Sequence, residues 1–442
     1  MRPRSLLLAA GACLATLALT VGTALADDPT PSPTPSPTPG TEAGPCPGTS
    51  STPTSGSPQF AGTSATPAAT TGASAPSSGA PTPTTAVPPV DHDPGSCFTQ
   101  YGLPPNTNPE FMTTGPDGNL WFTGNNVIGR METTGKHTVT IFPVPLAQSI
   151  LVGITTGPDG NMWFTDYFGH VGRILTHGSN TITIFNTPGT GAQQIIAGPD
   201  GALWFGEYDT GRIGRIQAQA PYTVTEFPVA TGDIGLTGIT VGQDGNIWLT
   251  EQTGNHIDRI LTRAPHTITR FALPPHPGNY QQSNFPYGIT SAIDGKVWFT
   301  MVDAVDNKEL GSFSPFAPTA TLQEFSVPTA PSQPIVFTNG PDLRLWYTDN
   351  GPDYRQFQSG SNVQAISLFG QHTTTQYSLY DVHSRVAGIT TVGDSVWFTE
   401  HNTNSIGRID VACADHEDLL NSLPGKRLGN LNNQGCNDPG NS

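Results

Sequence analysis

Charge is scarce in this chain. Only 12% of its 442 residues are Asp, Glu, Lys or Arg, about half the share of an ordinary globular protein. Basic residues are the rarer sign, 18 against 34 acidic, which gives a formal net charge of −16. Such a surface repels nucleic-acid phosphates and anionic lipid, and it tolerates cationic ligands and divalent metals. Long apolar runs are missing after residue 26, so no later segment is built to span a bilayer. There is no zinc-ligand spacing, phosphate-cradling glycine loop or Ser-His-Asp order. Cysteine is limited to five residues and tryptophan to seven.

What is abundant is glycine (50) and proline (43), which suits many short strands joined by turns together with an unstructured stretch. Residues 1–26 have the form of a secretory signal peptide. Arg2 and Arg4 make the positive start, Leu6 to Leu25 is apolar, and Ala24-Leu25-Ala26 offers a small-x-small cleavage site. A membrane anchor is the alternative reading of the same residues. Cleavage after Ala26 removes two arginines, no acid and Cys13, so the net charge becomes −18. Residues 27–96 are almost entirely Pro, Thr, Ser, Ala and Gly. They cannot bury enough apolar surface to offset their ordering entropy, and they predict a proline-stiffened spacer that displays a domain outside the cell or at its surface.

The seven tryptophans organise the rest. Trp121, Trp163, Trp204, Trp248, Trp298, Trp346 and Trp397 follow one another at 42, 41, 44, 50, 48 and 51 residues. Each lies in a version of Gly-Ile-Thr-x-Gly-Pro-Asp-Gly-Asn-x-Trp-Phe-Thr. One Trp per repeat of 40–50 residues predicts an all-β, seven-bladed β-propeller of four-stranded antiparallel blades over 97–413. Asp-Gly supplies the positive φ of the turn between the first two strands. Ile-Gly-Arg marks the third strand, as at Ile128-Gly-Arg130, Ile213-Gly-Arg215 and Ile406-Gly-Arg408, and it fades at Leu310-Gly-Ser312 and Val363-Gln-Ala365. The tryptophans are structural residues of blade packing.

Blade 7 has no fourth strand after Ile406-Gly-Arg-Ile409. The missing phrase stands at the other end, where Phe98-Thr-Gln-Tyr-Gly-Leu-Pro104 matches Thr269-Arg-Phe-Ala-Leu-Pro274. The N-terminal strand is therefore expected to close the last blade. That placement sets Cys97 beside Cys413 and predicts a disulfide between them, which leaves Cys46 to Cys436. Residues 414–442 read as a polar tail, in which 415–423 can form one short helix.

Three residues after each Trp come Gly124, Asp166, Glu207, Glu251, Met301, Asp349 and Glu400. Five are acidic. Glu400, Glu251 and Asp349 are the candidate ligands for Mg²⁺ or Ca²⁺ at the ring's mouth; pairing with the repeated arginines, or simple solvation, is the bland reading. His383 and His401 are the candidate proton-transfer groups, each also readable as a polar loop residue.

Gly-Pro-Asp-Gly-Asn-Leu-Trp-Phe-Thr (115–123) and Ile-Gly-Arg-Ile (213–216, 406–409) resemble the streptogramin lyase family of virginiamycin B lyases, over about residues 97–411. The resemblance implies metal-assisted opening of a cyclic depsipeptide antibiotic by elimination. In that chemistry Mg²⁺ stabilises the developing enolate and a histidine moves the proton. The family places two histidines in Pro-His-Ala-Ile and Glu-Pro-His-Gly-Ile, with that Glu and a later one holding the metal. In this sequence the first phrase falls on Pro334-Ile-Val-Phe337 and the second on Arg385-Val-Ala-Gly-Ile389. Ile335 and Ala387 stand at the histidine places, Arg385 at a Glu place, and Glu400 alone is kept. The equivalent residues of the other blades are Glu110, Val152, Gln193, Thr237 and Tyr287. The sequence thus predicts a secreted, monomeric binding scaffold for a cell-wall or other extracellular polymer, a peptide or a protein. The alternatives are a lyase with relocated histidines and a metal-dependent lactone or ester hydrolase.

Overall fold

The computed structural model describes residues 82–83, 97–229, 235–274, 284–302, 309–327, 332–351, 361–379 and 384–414. The expected signal peptide, the spacer apart from Thr82 and Pro83, the tail after Ala414, Cys46, Cys436 and His383 lie outside them.

Seven antiparallel sheets are formed, one for each tryptophan. Blade 2 shows the plan, with strands Leu151–Thr156, Met162–Asp166, His170–Ile174 and Ile182–Asn186 running from the centre outward. Each innermost strand touches those of both neighbours, and the innermost strand of blade 7, Val386–Val392, touches that of blade 1, Met112–Thr114, so the ring is closed. The outermost strand of blade 7 is Phe98–Gly102, antiparallel to Ser405–Asp410 with Thr99 opposite Arg408. The ring shuts with the strand the sequence assigned to it. Beside this seam Cys97 and Cys413 form a disulfide across 316 residues. Blade 1 differs from the four-stranded plan. Thr82–Pro83 adds a two-residue strand outside Val139–Pro143.

The repeated Trp-Phe-Thr has a separate reason for each residue. Every Trp is buried between blades. In blade 2, Trp163 Nε1 donates to Asp159 Oδ1 at 2.9 Å, while Arg173, opposite it on the third strand, donates to Asp159 Oδ2 and lies 5.9 Å from the indole centroid. The turn Asp thus holds both the indole N–H and the cation that covers the ring. The Phe explains the glycine of Ile-Gly-Arg. A Cβ on Gly172 would meet the Phe164 ring at 2.0 Å. Where blade 4 has Leu249 instead, Asp258 replaces the glycine opposite, and Tyr347 of blade 6 faces Gln364, with Tyr347 Oη donating to Gln364 Oε1 at 2.8 Å. The Thr joins blades. Thr165 accepts the Gly153 N–H at 2.9 Å and donates to Gln193 O of blade 3. Thr123, Thr300, Thr348 and Thr399 donate likewise to Val152 O, Ile335 O, Ala387 O and Glu110 O.

The core is correspondingly a set of layers between blades. One unites Trp121 and Ile128 with Leu151, Met162 and Phe164 of the next blade. A second device links the outer parts of the ring. His137, Tyr222, His266 and His372 occupy one position of the loop between third and fourth strands, all at φ between 51° and 57°. Each stacks on the preceding blade: His266 on Trp204 and Phe227, His372 on Trp298 and Phe325, and His137 on Trp397 and Tyr101 across the seam.

Candidate functional site at the ring centre

On one face, the loops between second and third strands and the blade-to-blade connections meet. The residues three after each Trp end their strands here, and Asp166, Glu207, Glu251, Asp349 and Glu400 are all buried. They do not converge. Asp166 accepts from Ile150 N at 2.8 Å and lies 2.7 Å from His170 Nδ1. Glu251 is gripped by Arg270 at 2.6 Å. Asp349 accepts from Ser332 Oγ, Gln333 N, Gly351 N and Gln364 Nε2, yet its burial outweighs these bonds and raises its carboxyl above the ordinary value. Glu400 accepts from Gln100 Nε2 at 2.6 Å and Ser405 Oγ at 2.9 Å. Among the described residues no three His, Cys, Asp or Glu side chains stand together as a metal cradle. The repeated arginines work elsewhere: Arg130, Arg173 and Arg215 serve the turn aspartates at the other end of the blades, and Arg408 pairs with Asp410.

Glu207 has a different setting. It shares a buried pocket with Glu226, and Gly189 packs against it so closely that a Cβ would overlap its carboxyl. Glu226 takes the Gly189 N–H at 2.8 Å and Arg212 at 3.0 Å, while Thr210 donates to Glu207. Burial, the strongest influence, and the neighbouring Glu226 charge push Glu207 up to about 8 despite the Thr210 bond.

Phe111, Val152, Tyr167, Tyr208, Tyr287 and Ile335 belong to one buried apolar cluster that also takes in Val386 and Ile389 of blade 7. Glu110, next to Phe111 in the chain, meets blade 7. Arg385 Nη1 lies 2.9 Å from Glu110 Oε1 and Nη2 3.3 Å from Oε2. His401 Nδ1 lies 3.0 Å from the same Oε1, off the angle of a well-aligned hydrogen bond. Burial alone would raise the Glu110 carboxyl; the Arg385 charge and the His401 contact override it and hold it at about 2. His401 is therefore a partner of Glu110, and His383 lies outside the described residues. Sequence reasoning singled out His401 and Arg385 separately but missed their meeting with Glu110. The signal was the alignment of blades, since Glu110 occupies the position of Ile335 and Ala387.

Comparison with known proteins fits this layout. The family model for virginiamycin B lyases matches residues 91–193 and 168–414. The chain belongs to the virginiamycin B lyase family. A streptogramin B lyase structure shares 26% identity at a TM-score of 0.60, covering 70% of this chain and 96% of its own. Virginiamycin B lyase from Staphylococcus aureus is 26% identical at 0.59, with 70% and 98% covered. A catalytically inactive variant of that enzyme, solved with quinupristin, is 25% identical at 0.59, with 70% and 98% covered. No curated protein matches. In this member of the virginiamycin B lyase family the backbone at the two histidine places follows the chain's own repeat, with Ile335 O and Ala387 O accepting the inter-blade threonine bonds. The side chains there are apolar and buried. Arg385 supplies a cation where the resemblance implies a metal-binding Glu, and Glu400 is satisfied by Gln100 and Ser405. This donor set does not fit Mg²⁺ as the family would hold it. No described helix is long and apolar enough to cross a membrane.

Proposed function

We propose that this protein is a recognition scaffold of the virginiamycin B lyase family, which holds an extracellular peptide-like or polymeric ligand over its ring centre without opening it. The observation that carries the reading is the Glu110–Arg385–His401 cluster. A fixed guanidinium–carboxylate pair takes the place where the resemblance implies a metal ligand, and Ile335 and Ala387 offer no proton-transfer group beside it. The Glu110–Arg385–His401 cluster supplies the polar groups that orient a ligand. The signal peptide and spacer support display outside the cell.

Quinupristin, bound by the inactive Staphylococcus aureus variant, is the natural probe. Incubated with the full chain and Mg²⁺, it should remain cyclic by mass spectrometry. General acid–base groups are typically worth about 10²–10⁴-fold each, so the loss of two leaves turnover near background. Turnover that disappears with a chelator and in Glu400→Ala would overturn this reading in favour of a lyase using His401 or His383.

A further inference from the structure

The opposite face carries an apolar patch that the repeat does not call for. The third residue of the loop between third and fourth strands is Thr134, His177, Gln219 and Arg263 in blades 1–4. In blades 5 and 6 it is Phe316, 72% exposed, and Phe369, 58% exposed. The turn between the first two strands changes in the same two blades. Ile293, 46% exposed, replaces the proline of the turn in blade 5. Leu343, 60% exposed, replaces its glycine in blade 6 and adopts φ 63°. A leucine in the left-handed region is disfavoured, and an exposed one gains no burial in return. These turns lie together: Ile293 N donates to Asn339 Oδ1 of blade 6 at 3.1 Å, and Thr391 Oγ1 of blade 7 donates to Asn339 O at 2.8 Å.

The chain leaves the described structure on this same face. Asp410 pairs with Ser395, Val411 N donates to Asp394 O in the blade 7 turn, and the segment is anchored by buried Ala414 and the Cys97–Cys413 disulfide. Blade 7 adjoins blade 6. The sequence that follows, Asp415-His-Glu-Asp-Leu-Leu-Asn-Ser-Leu423, carries three of the five leucines that come after residue 414, Leu419, Leu420 and Leu423. Extended, the five to nine residues from Ala414 to these leucines reach at most about 17–32 Å. We propose that residues 415–423 are the occupant of the patch, seating Leu419, Leu420 and Leu423 against Phe369, Leu343 and Phe316.

Limited proteolysis of the full chain, with cleavage after residue 414 mapped by mass spectrometry, tests this. The tail should resist cleavage in the wild type and lose that protection in the double variant Phe316→Ser/Phe369→Ser, whose substitutions are on the surface and leave the ring's melting temperature unchanged. Disulfide trapping adds a positional readout in a Cys46→Ser/Cys436→Ser background. Leu420→Cys should cross-link within one chain to Phe369→Cys and not to Phe168→Cys on the other face. Equal tail cleavage in both proteins, or equal cross-linking to both positions, overturns the proposal. A cross-link between two chains overturns it in favour of a second copy on the patch.

Discussion

Two buried carboxyls on one face of the ring are tuned in opposite directions by their neighbours. Glu110 falls from an ordinary 4.5 to about 2 because Arg385 and His401 reward its charged form more than burial penalises it. A lowered folded value stabilises the fold above pH 4.5, and that contribution is lost as pH drops from there toward 2. The shift corresponds to on the order of 3 kcal/mol. Glu207 rises to about 8 through burial and Glu226. A raised folded value means that the fold keeps a proton the unfolded chain releases. Its contribution is complete below pH 4.5 and declines as pH climbs through 8. Melting temperatures measured from pH 3 to pH 9 should therefore fall on both flanks. Glu110→Gln should flatten the acid flank. Glu207→Gln, whose amide donates to Glu226 at every pH, should flatten the alkaline one. An alkaline slope identical in wild type and Glu207→Gln would show that Glu207 is not the titrating group.

Within a blade, the turn aspartate does the joining. Asp159 binds Trp163 Nε1, Arg173 Nε and, at 2.9 Å, Asn161 Nδ2, and these bonds together outweigh its partial burial and lower its carboxyl. Asp159→Ala leaves a buried indole N–H without an acceptor and frees the arginine from its place over the ring. Such losses cost about 1–3 kcal/mol. Asp159→Asn keeps an oxygen for the indole and should cost less. Denaturation midpoints in urea should rank wild type, Asn, Ala; an alanine variant equal to wild type would sink this account. Blade 6 shows that the element defends this arrangement. Its third strand places Ala365 opposite Trp346, and Arg344 of the second strand covers the ring instead, at 5.0 Å, while pairing with Asp342. Blade 5 has Ser312 opposite Trp298, yet Asp294 still accepts the indole N–H.

For the whole molecule, closure is the controlling event. Phe98–Gly102 fills blade 7, its Tyr101 stacks on Trp397, and His137 of blade 1 stacks on both. The seam therefore uses the same aromatic staple as three other interfaces and adds a covalent bond. Removing residues 97–104 should lower the melting temperature of the entire ring, because blade 7 loses a strand, a disulfide and an inter-blade stack together. Cys97→Ser with Cys413→Ser should lower it less. Chain entropy assigns such long loops about 4–5 kcal/mol in the unfolded state, an upper figure when native geometry is imperfect. A truncated ring that melts with the intact one would mean that blade 7 is complete without its N-terminal strand.

The sequence by itself determined the blade count, the order of strands, the closing strand and the Cys97–Cys413 pairing, because each is written in local periodicity. A Trp recurs once per unit, Asp-Gly demands a turn, and an unpaired phrase at one end matches a gap at the other. It also named Ile335, Ala387 and Arg385 at the places where the resemblance implies histidines and Glu. Tertiary structure alone decided what stands against what. Five acidic residues at one repeat position looked like a converging ring, yet each is drawn into its own blade by partners as distant in sequence as Gln100 and Glu400. Glu110 and Arg385 are 275 residues apart and meet only because the first and last blades are neighbours. Periodicity records which face a side chain takes; ring closure brings remote residues to one point, and nothing local in the chain encodes their distance.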